Sequence, residues 1–298
     1  MKHLLNIALI LGLQIQVFAQ NNTSLNQYII SHVLINPGAT GFDGNHQLQV
    51  HARGSWYGFP GAPKTGGFQY NGALSESFGL GGGVFTESAA NLDQLRARLN
   101  FAFKFNVSKN TAFSAGISTE FHQTKLNSRI LDNNFFDPAD PSADRFLNGR
   151  SFLDATLGFY GKFHQNTFVG LAFSNLVMAS LDDIELGLND DMSLRYYALH
   201  AGHKFDFPYR RVSLEPSILV RQIRGTPFQI DMNFKAGFID DKLITGISYR
   251  SLGTTGMLLG TRWSFFELYY TYDLSLQRFQ NYNAGSHEFT LGLTFGKD

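Results

Sequence analysis

The sequence predicts an all-β protein, a transmembrane outer-membrane β-barrel of about 14 antiparallel strands with a short N-terminal helical or plug segment. Three observations carry that prediction. Apolar and polar residues alternate: Leu95, Ala97, Leu99, Phe101, Phe103 and Phe105 are interleaved with Arg96, Arg98, Asn100, Ala102 and Lys104. A period of two gives a strand one face in lipid and one in a polar lumen. The first residues read as an export signal, and the connections between strands are alternately short and long.

Taking the elements in order, Lys2 and His3 precede the apolar run Leu4–Val17, and Val17-Phe18-Ala19 supplies small residues at −3 and −1. Residues 1–19 are therefore expected to be a signal peptide cut before Gln20. The run is short for a membrane span and is broken by Asn6, Gln14 and Gln16. Residues 20–45 form a periplasmic or plug segment. Within it Leu25, Tyr28, Ile29, His32 and Val33 fall near helical spacing, and Asn36-Pro37-Gly38 ends the run. A short amphipathic helix is expected over Ser24–Asn36, plugging the barrel or lying on the membrane. Residues 46–298 carry the barrel, with strands near 46–54, 65–74, 78–87, 93–106, 111–122, 152–163, 167–175, 194–205, 211–221, 227–237, 242–250, 255–263, 265–274 and 286–296.

Connections after even-numbered strands are short, for example Ser75–Ser77, His164–Asn166 and the Ser264 turn. All the long ones, Ser55–Lys64, Gln123–Ser151, Leu176–Ser193 and Ser275–Gly285, follow odd-numbered strands. Short periplasmic turns and long outer loops give this asymmetry, with both termini in the periplasm. Composition agrees. There is no cysteine, so disulfides and thiolate metal sites are excluded. Charged residues make up 16%, and mean hydropathy is −0.13, too polar for a helical membrane protein. Lys+Arg and Asp+Glu are equal at 24, so no global field points to nucleic acid.

The lipid face is expected to carry Leu95, Phe101, Phe103, Phe113, Ile117, Leu157, Phe159, Val169, Leu171, Phe173, Leu268, Phe289, Leu291 and Leu293. Trp263, Tyr269, Tyr270 and Tyr272 would sit in interfacial girdles. The inner face would carry Arg96, Arg98, Lys104, Glu120, Lys162, Glu215, Arg221, Asp231, Lys235, Arg250, Arg262, Glu267, Asp273 and Glu288. Both signs are present, which favours ion pairing across the lumen over a conduction path.

Gln27-Tyr28 followed by Leu34-Ile35-Asn36-Pro37-Gly38-Ala39-Thr40-Gly41 is similar to the N-terminal stretch of the PorP/SprF family, although Gly38-Ala39-Thr40 departs from the more usual Ala-Tyr-Ala. Arg53, Trp56, Gly58, Phe59, Gly61, Ala62, Pro63 and Thr65 match its R-x-x-W-x-G-F-x-G-A-P-x-T motif. Arg250, Asp273 and Ser286-His287-Glu288 fall in later blocks, in the family's order. The resemblance implies a non-enzymatic outer-membrane component of the Bacteroidetes type IX secretion and gliding-motility machinery. It further implies a partner set of other type IX components, outer-membrane lipid and a secreted cargo, a surface adhesin held by its C-terminal sorting domain. The motif residues Tyr28, Asn36, Pro37 and Gly41, with those from Arg53 to Glu288, are the candidate site, either for partner contact or for packing in the lumen.

Chemical sites are weaker than they look. Ser286-His287-Glu288 is not a hydrolytic triad, because neighbours on a strand point to opposite faces. Gly79-Leu80-Gly81-Gly82-Gly83 lacks the Lys-Ser/Thr of a phosphate loop and suits close packing instead. Asp132, Asp137, Asp140 and Asp144 are oxygen ligands that would suit Ca²⁺ but lack EF-hand spacing. No cofactor or nucleic-acid partner is expected. The alternative to secretion is an outer-membrane transporter or porin for small or hydrophobic solutes, which the mixed-sign wall and the plug segment disfavour.

Overall fold

The computed structural model describes residues 25–127, 130, 146–181, 196–223, 228–251, 253–275 and 284–296. Fourteen strands follow in chain order: β1 (His46–Gly54), β2 (Lys64–Ala73), β3 (Phe78–Ala89), β4 (Leu92–Ser108), β5 (Thr111–Leu126), β6 (Arg150–Phe163) and β7 (Thr167–Ser174), then β8 (Tyr196–His203), β9 (Val212–Ile223), β10 (Gln229–Phe238), β11 (Leu243–Arg250), β12 (Thr254–Trp263), β13 (Phe266–Ser275) and β14 (Ser286–Phe295). Every strand pairs antiparallel with its sequence neighbours. β1 pairs with β14, placing Arg53 opposite Glu288 and Val50 opposite Leu291, and this seam closes the barrel. Closure satisfies every strand's backbone groups where no water is available. Two short pieces are added. Ala179–Ser180 pairs with β6, and Phe205–Phe207 pairs with the start of β9. Among the described residues no helix is long and apolar enough to cross a membrane.

The strands fall where the alternation places them, within a few residues. The largest extension is at the outer-loop end of β5, which runs on to Leu126 where the alternation ends it near His122; β4 and β5 are 17 and 16 residues long, against the ten or so that a tilted spanning strand needs. The two faces also agree. Phe101, Phe103, Ile117, Leu157, Phe159, Val169, Leu268, Phe289 and Leu291 project from the outer wall. So much exposed apolar surface is the mark of a membrane contact. Tyr269 corrects the girdle expectation. It shares the phase of Glu267 and Thr271, is fully buried in the lumen, and its hydroxyl accepts from Arg262 Nε at 2.6 Å. Tyr270 and Tyr272, in the other phase, do lie on the outer wall.

The N-terminal segment departs from a helix. It forms three 3₁₀ turns, Asn26–Ile29, His32–Leu34 and Pro37–Ala39, with extended residues between them. Wall contacts on all sides replace the single apolar stripe that an amphipathic helix would bury. Tyr28 and Ile29 join a lumen core with Ala198, Leu219, Ile244, Leu258 and Tyr269; Ala39 and Phe42 join a second with Tyr160 and Phe168. The segment starts beside Glu288, near the long-loop end of β14, and leaves beside Lys104 and Lys162, at the short-turn ends of β4 and β6. It threads the lumen from one end to the other. Asp132, Asp137, Asp140 and Asp144 lie outside the described residues.

Candidate functional site

The lumen wall has two chemically distinct halves, and the plug is fitted to both. The half built by β3 to β8 presents small residues inward. Ala102, Ala172 and Ala198 are fully buried, and glycines stand at Gly79, Gly116, Gly158 and Gly170. These glycines form a seat for Asn36–Gly41. A Cβ on Gly79 would lie 2.1 Å from the Thr40 carbonyl oxygen, one on Gly116 2.4 Å from that of Pro37, and one on Gly158 2.1 Å from Asn36 Oδ1. No side chain fits at such separations, so the plug backbone reaches the wall only because the wall has none there. Gly41 reciprocates from the plug side. Its φ of +64° favours glycine, and a Cβ would meet Gly79 Cα at 2.6 Å.

Asn36 holds this seat. Its Oδ1 accepts from Gly38 N at 2.9 Å, and Pro37 fixes the first position of the turn. Its Nδ2 donates to the Phe159 carbonyl at 2.9 Å and stands 3.1 Å from His200 Nε2. Nearby, His32 Nδ1 is 3.0 Å from the Tyr160 hydroxyl, and its ring lies 4.3 Å from that of Phe168 and 5.1 Å from that of His200. At the periplasmic end Lys104 Nζ donates to the Phe42 carbonyl at 2.9 Å, and Lys162 pairs with Asp43.

The other half, β9 to β14 with β1, carries a belt of alternating charge. Arg53 bridges Glu288 (2.8 Å) and Asp273 (3.0 Å), Arg221 meets Asp231 at 2.9 Å, and Arg250 sits between Asp231 (3.5 Å) and Asp273 (3.8 Å). Three guanidinium groups and three carboxylates balance, and each carboxylate has an arginine, as buried charges require. Gly256 of β12 leaves the gap the belt passes through; a Cβ there would lie 2.6 Å from Asp273 Oδ1.

The plug's first turn is latched to this belt. Asn26 N donates to Glu288 Oε2 at 2.9 Å, and Asn26 Nδ2 to Asp273 Oδ2. Gln27 Nε2 donates to Thr271 Oγ1 at 3.0 Å. The Tyr28 hydroxyl donates to Asp231 Oδ2 at 3.1 Å and lies 3.2 Å from Asn233 Oδ1. A cavity of about 70 Å³, lined by Lys204, Glu215, Lys235, Asp241 and Arg262, remains near the short turns. That is room for a few waters.

The sequence-predicted site residues therefore divide into three groups. Tyr28, Arg53, Arg250, Asp273 and Glu288 meet in one buried network. Asn36, Pro37 and Gly41 form the seat. Trp56, Gly58, Phe59, Gly61, Ala62 and Pro63 lie in the outer loop between β1 and β2, which does not pack into the lumen: Trp56 and Phe59 are each 49% exposed. Ser286 Oγ accepts from Trp56 N at 3.1 Å, so it holds the loop, while His287 points outward to the Tyr270 hydroxyl at 2.7 Å. Thr65 faces inward and donates to Glu87 at 3.3 Å. Sequence reasoning missed Asn26, Gly116, Gly158 and Gly170; it placed His32 in the plug segment without a role and read Gly79 as close packing without naming what packs there. A signal for the glycines was present, since all four stand in the inner phase of their strands.

The model for the family described as type IX secretion system membrane protein PorP/SprF matches residues 17–293. The chain belongs to that family. Solved structures share the barrel. The CymD monoaromatic hydrocarbon channel aligns with a TM-score of 0.50 at 10% identity, over 93% of this chain and 94% of that one. The Acinetobacter baumannii outer membrane protein Omp33 gives 0.47 at 9%, over 87% and 100%. CdiB, also from A. baumannii, gives 0.44 at 9%, over 84% of this chain, which spans only 60% of CdiB. Similarity at these identities concerns fold alone. No curated protein matches the chain. A PorP/SprF barrel is a membrane component of type IX secretion, which places this one in the outer membrane with other secretion components as its partners.

Proposed function

We propose that this PorP/SprF barrel is a non-enzymatic docking component of type IX secretion and gliding motility. It binds and positions a secreted surface adhesin through that cargo's C-terminal sorting domain. The observation that carries the reading is the plugged lumen. Residues 26–43 fill it, latched to buried charge at one end and to Lys104 and Lys162 at the other. A barrel so filled is suited to hold a partner at its rim rather than to conduct solutes. The motif residues then serve two ends: Arg53, Arg250, Asp273 and Glu288 keep the plug and wall in register, and the outer loops are left for contact. The test is a deletion strain, assayed for surface proteome and nutrient uptake, with the tagged full-length protein purified from cells for mass spectrometry. Loss of one large surface protein with normal uptake, and its recovery on the tag, are expected. An uptake defect with an intact surface proteome would overturn the reading in favour of transport.

A further inference from the structure

The outer loop Ser55–Pro63 contains no Asp, Glu, Lys or Arg in nine residues, and it exposes Trp56, Tyr57 and Phe59 together. Its backbone is pinned sideways, not across the mouth. Tyr57 N donates to the Gly285 carbonyl at 2.7 Å, and Ala284 N donates to the Tyr57 carbonyl at 2.8 Å. At the far end Ala90 N donates to the Gly61 carbonyl at 2.8 Å. The loop is thus tied to the connection before β14 and to the turn between β3 and β4, along the rim.

The side on which it lies is set by Tyr57. Its ring stands edge-on to His287, with centroids 5.8 Å apart. His287 is in the outward phase of β14, directly above Phe289 and Leu291, and it contacts the rings of Tyr270 and Tyr272 on β13. Leu291, Phe289, His287 and Tyr57 therefore form one column. It begins in the apolar belt and passes through side chains of mixed polarity at the level where headgroups begin. Tyr57 is 66% exposed at the top of that column.

We propose that the Ser55–Pro63 loop is a membrane anchor: Trp56, Tyr57 and Phe59 dip into the headgroup and upper acyl region of the outer leaflet beside β13, β14 and β1. The occupant of this surface is lipid. Continuity with the lipid-facing wall, the absence of any charge to be dehydrated and the three amphipathic or apolar rings all favour lipid there. The anchoring does not depend on cargo binding.

The chain has two tryptophans, and the second, Trp263, lies at the opposite, short-turn end of the barrel. The full-length Trp263→Phe variant therefore reports on Trp56 alone. It is reconstituted into phosphatidylcholine vesicles carrying a spin label on the headgroup, high on the acyl chain or near the bilayer centre. Blue-shifted Trp56 emission is expected, quenched strongly by the two shallow labels, weakly by the deep one, and protected from iodide. Adding Tyr57→Ser should diminish the shallow quenching, and heat-modifiable migration on gels will report that the barrel is still folded. Emission of a water-exposed indole, quenched by iodide and untouched by any lipid label, would overturn the proposal and give the loop to a protein partner in solvent.

Discussion

Asn36→Ala is the sharpest test of the plug. The side chain is fully buried and makes two hydrogen bonds of 2.9 Å, to Gly38 N and the Phe159 carbonyl, besides its 3.1 Å contact with His200. Alanine removes all three at about 1 kcal/mol each. The glycine seat prevents collapse onto the gap, so Gly38 N–H and His200 Nε2 are left without that partner. We therefore expect docking to weaken by about 3 kcal/mol, roughly a hundredfold in the ratio of docked to released plug. The chain's lack of cysteine supplies the assay. Ser31 is buried in the plug, where it accepts from Gln69 Nε2 at 3.2 Å, so Ser31→Cys is a single thiol reachable only after release. Its maleimide labelling should accelerate in proportion to the released population. A reference cysteine at Tyr209, fully exposed in a periplasmic turn, should label at the same rate in both backgrounds. Equal Ser31→Cys rates with and without Asn36, in barrels that both remain folded, would refute the seat.

Three further outcomes follow from the same geometry. Purified protein in planar bilayers should open rarely and slightly, whereas deletion of residues 25–43 should give steady currents; large currents from the intact chain would refute the plug. Phe101→Arg on the lipid face should cost about 2–4 kcal/mol of barrel stability in a urea titration. Arg98→Gln, on the lumen side, should cost the barrel less, yet it should speed Ser31→Cys labelling, because Arg98 donates to the Leu34 carbonyl at 3.1 Å and to Gln69 at 2.9 Å.

The strands were legible because each must satisfy two environments at once, and the period of two records both. The same rule identified the inward charges. Which of them pair was not legible. Arg53 reaches Glu288 across the closing seam and Asp273 one strand further, and the juxtaposition depends on strand order and on Gly256, which leaves room. Tyr269 departs from the girdle expectation because phase, not residue type, sets which face a strand residue takes. The plug departs from a helix although Leu25, Tyr28, Ile29, His32 and Val33 do fall near helical spacing. A helix satisfies its own backbone, but this segment has a polar wall to bond with, and Arg98 and Lys104 donate to its carbonyls. The three turns are those the wall permits.

The plug precedes every strand in the chain, yet nearly everything it touches comes later, and Asn26 is 262 positions from Glu288. Its folding is therefore deferred. Contacts of such separation form late, after the intervening loops have closed. Only Gly44 and Asn45 separate it from β1, whose far edge must zip onto β14 to finish the wall. A finished barrel would have to be threaded from below by a floppy segment whose first turn bonds near the opposite mouth. An order of assembly in which the β1–β14 seam shuts last, around a segment already lying in the groove, avoids that passage. The sequence of steps in insertion, rather than the final contacts, would then determine whether a given molecule ends up sealed or empty.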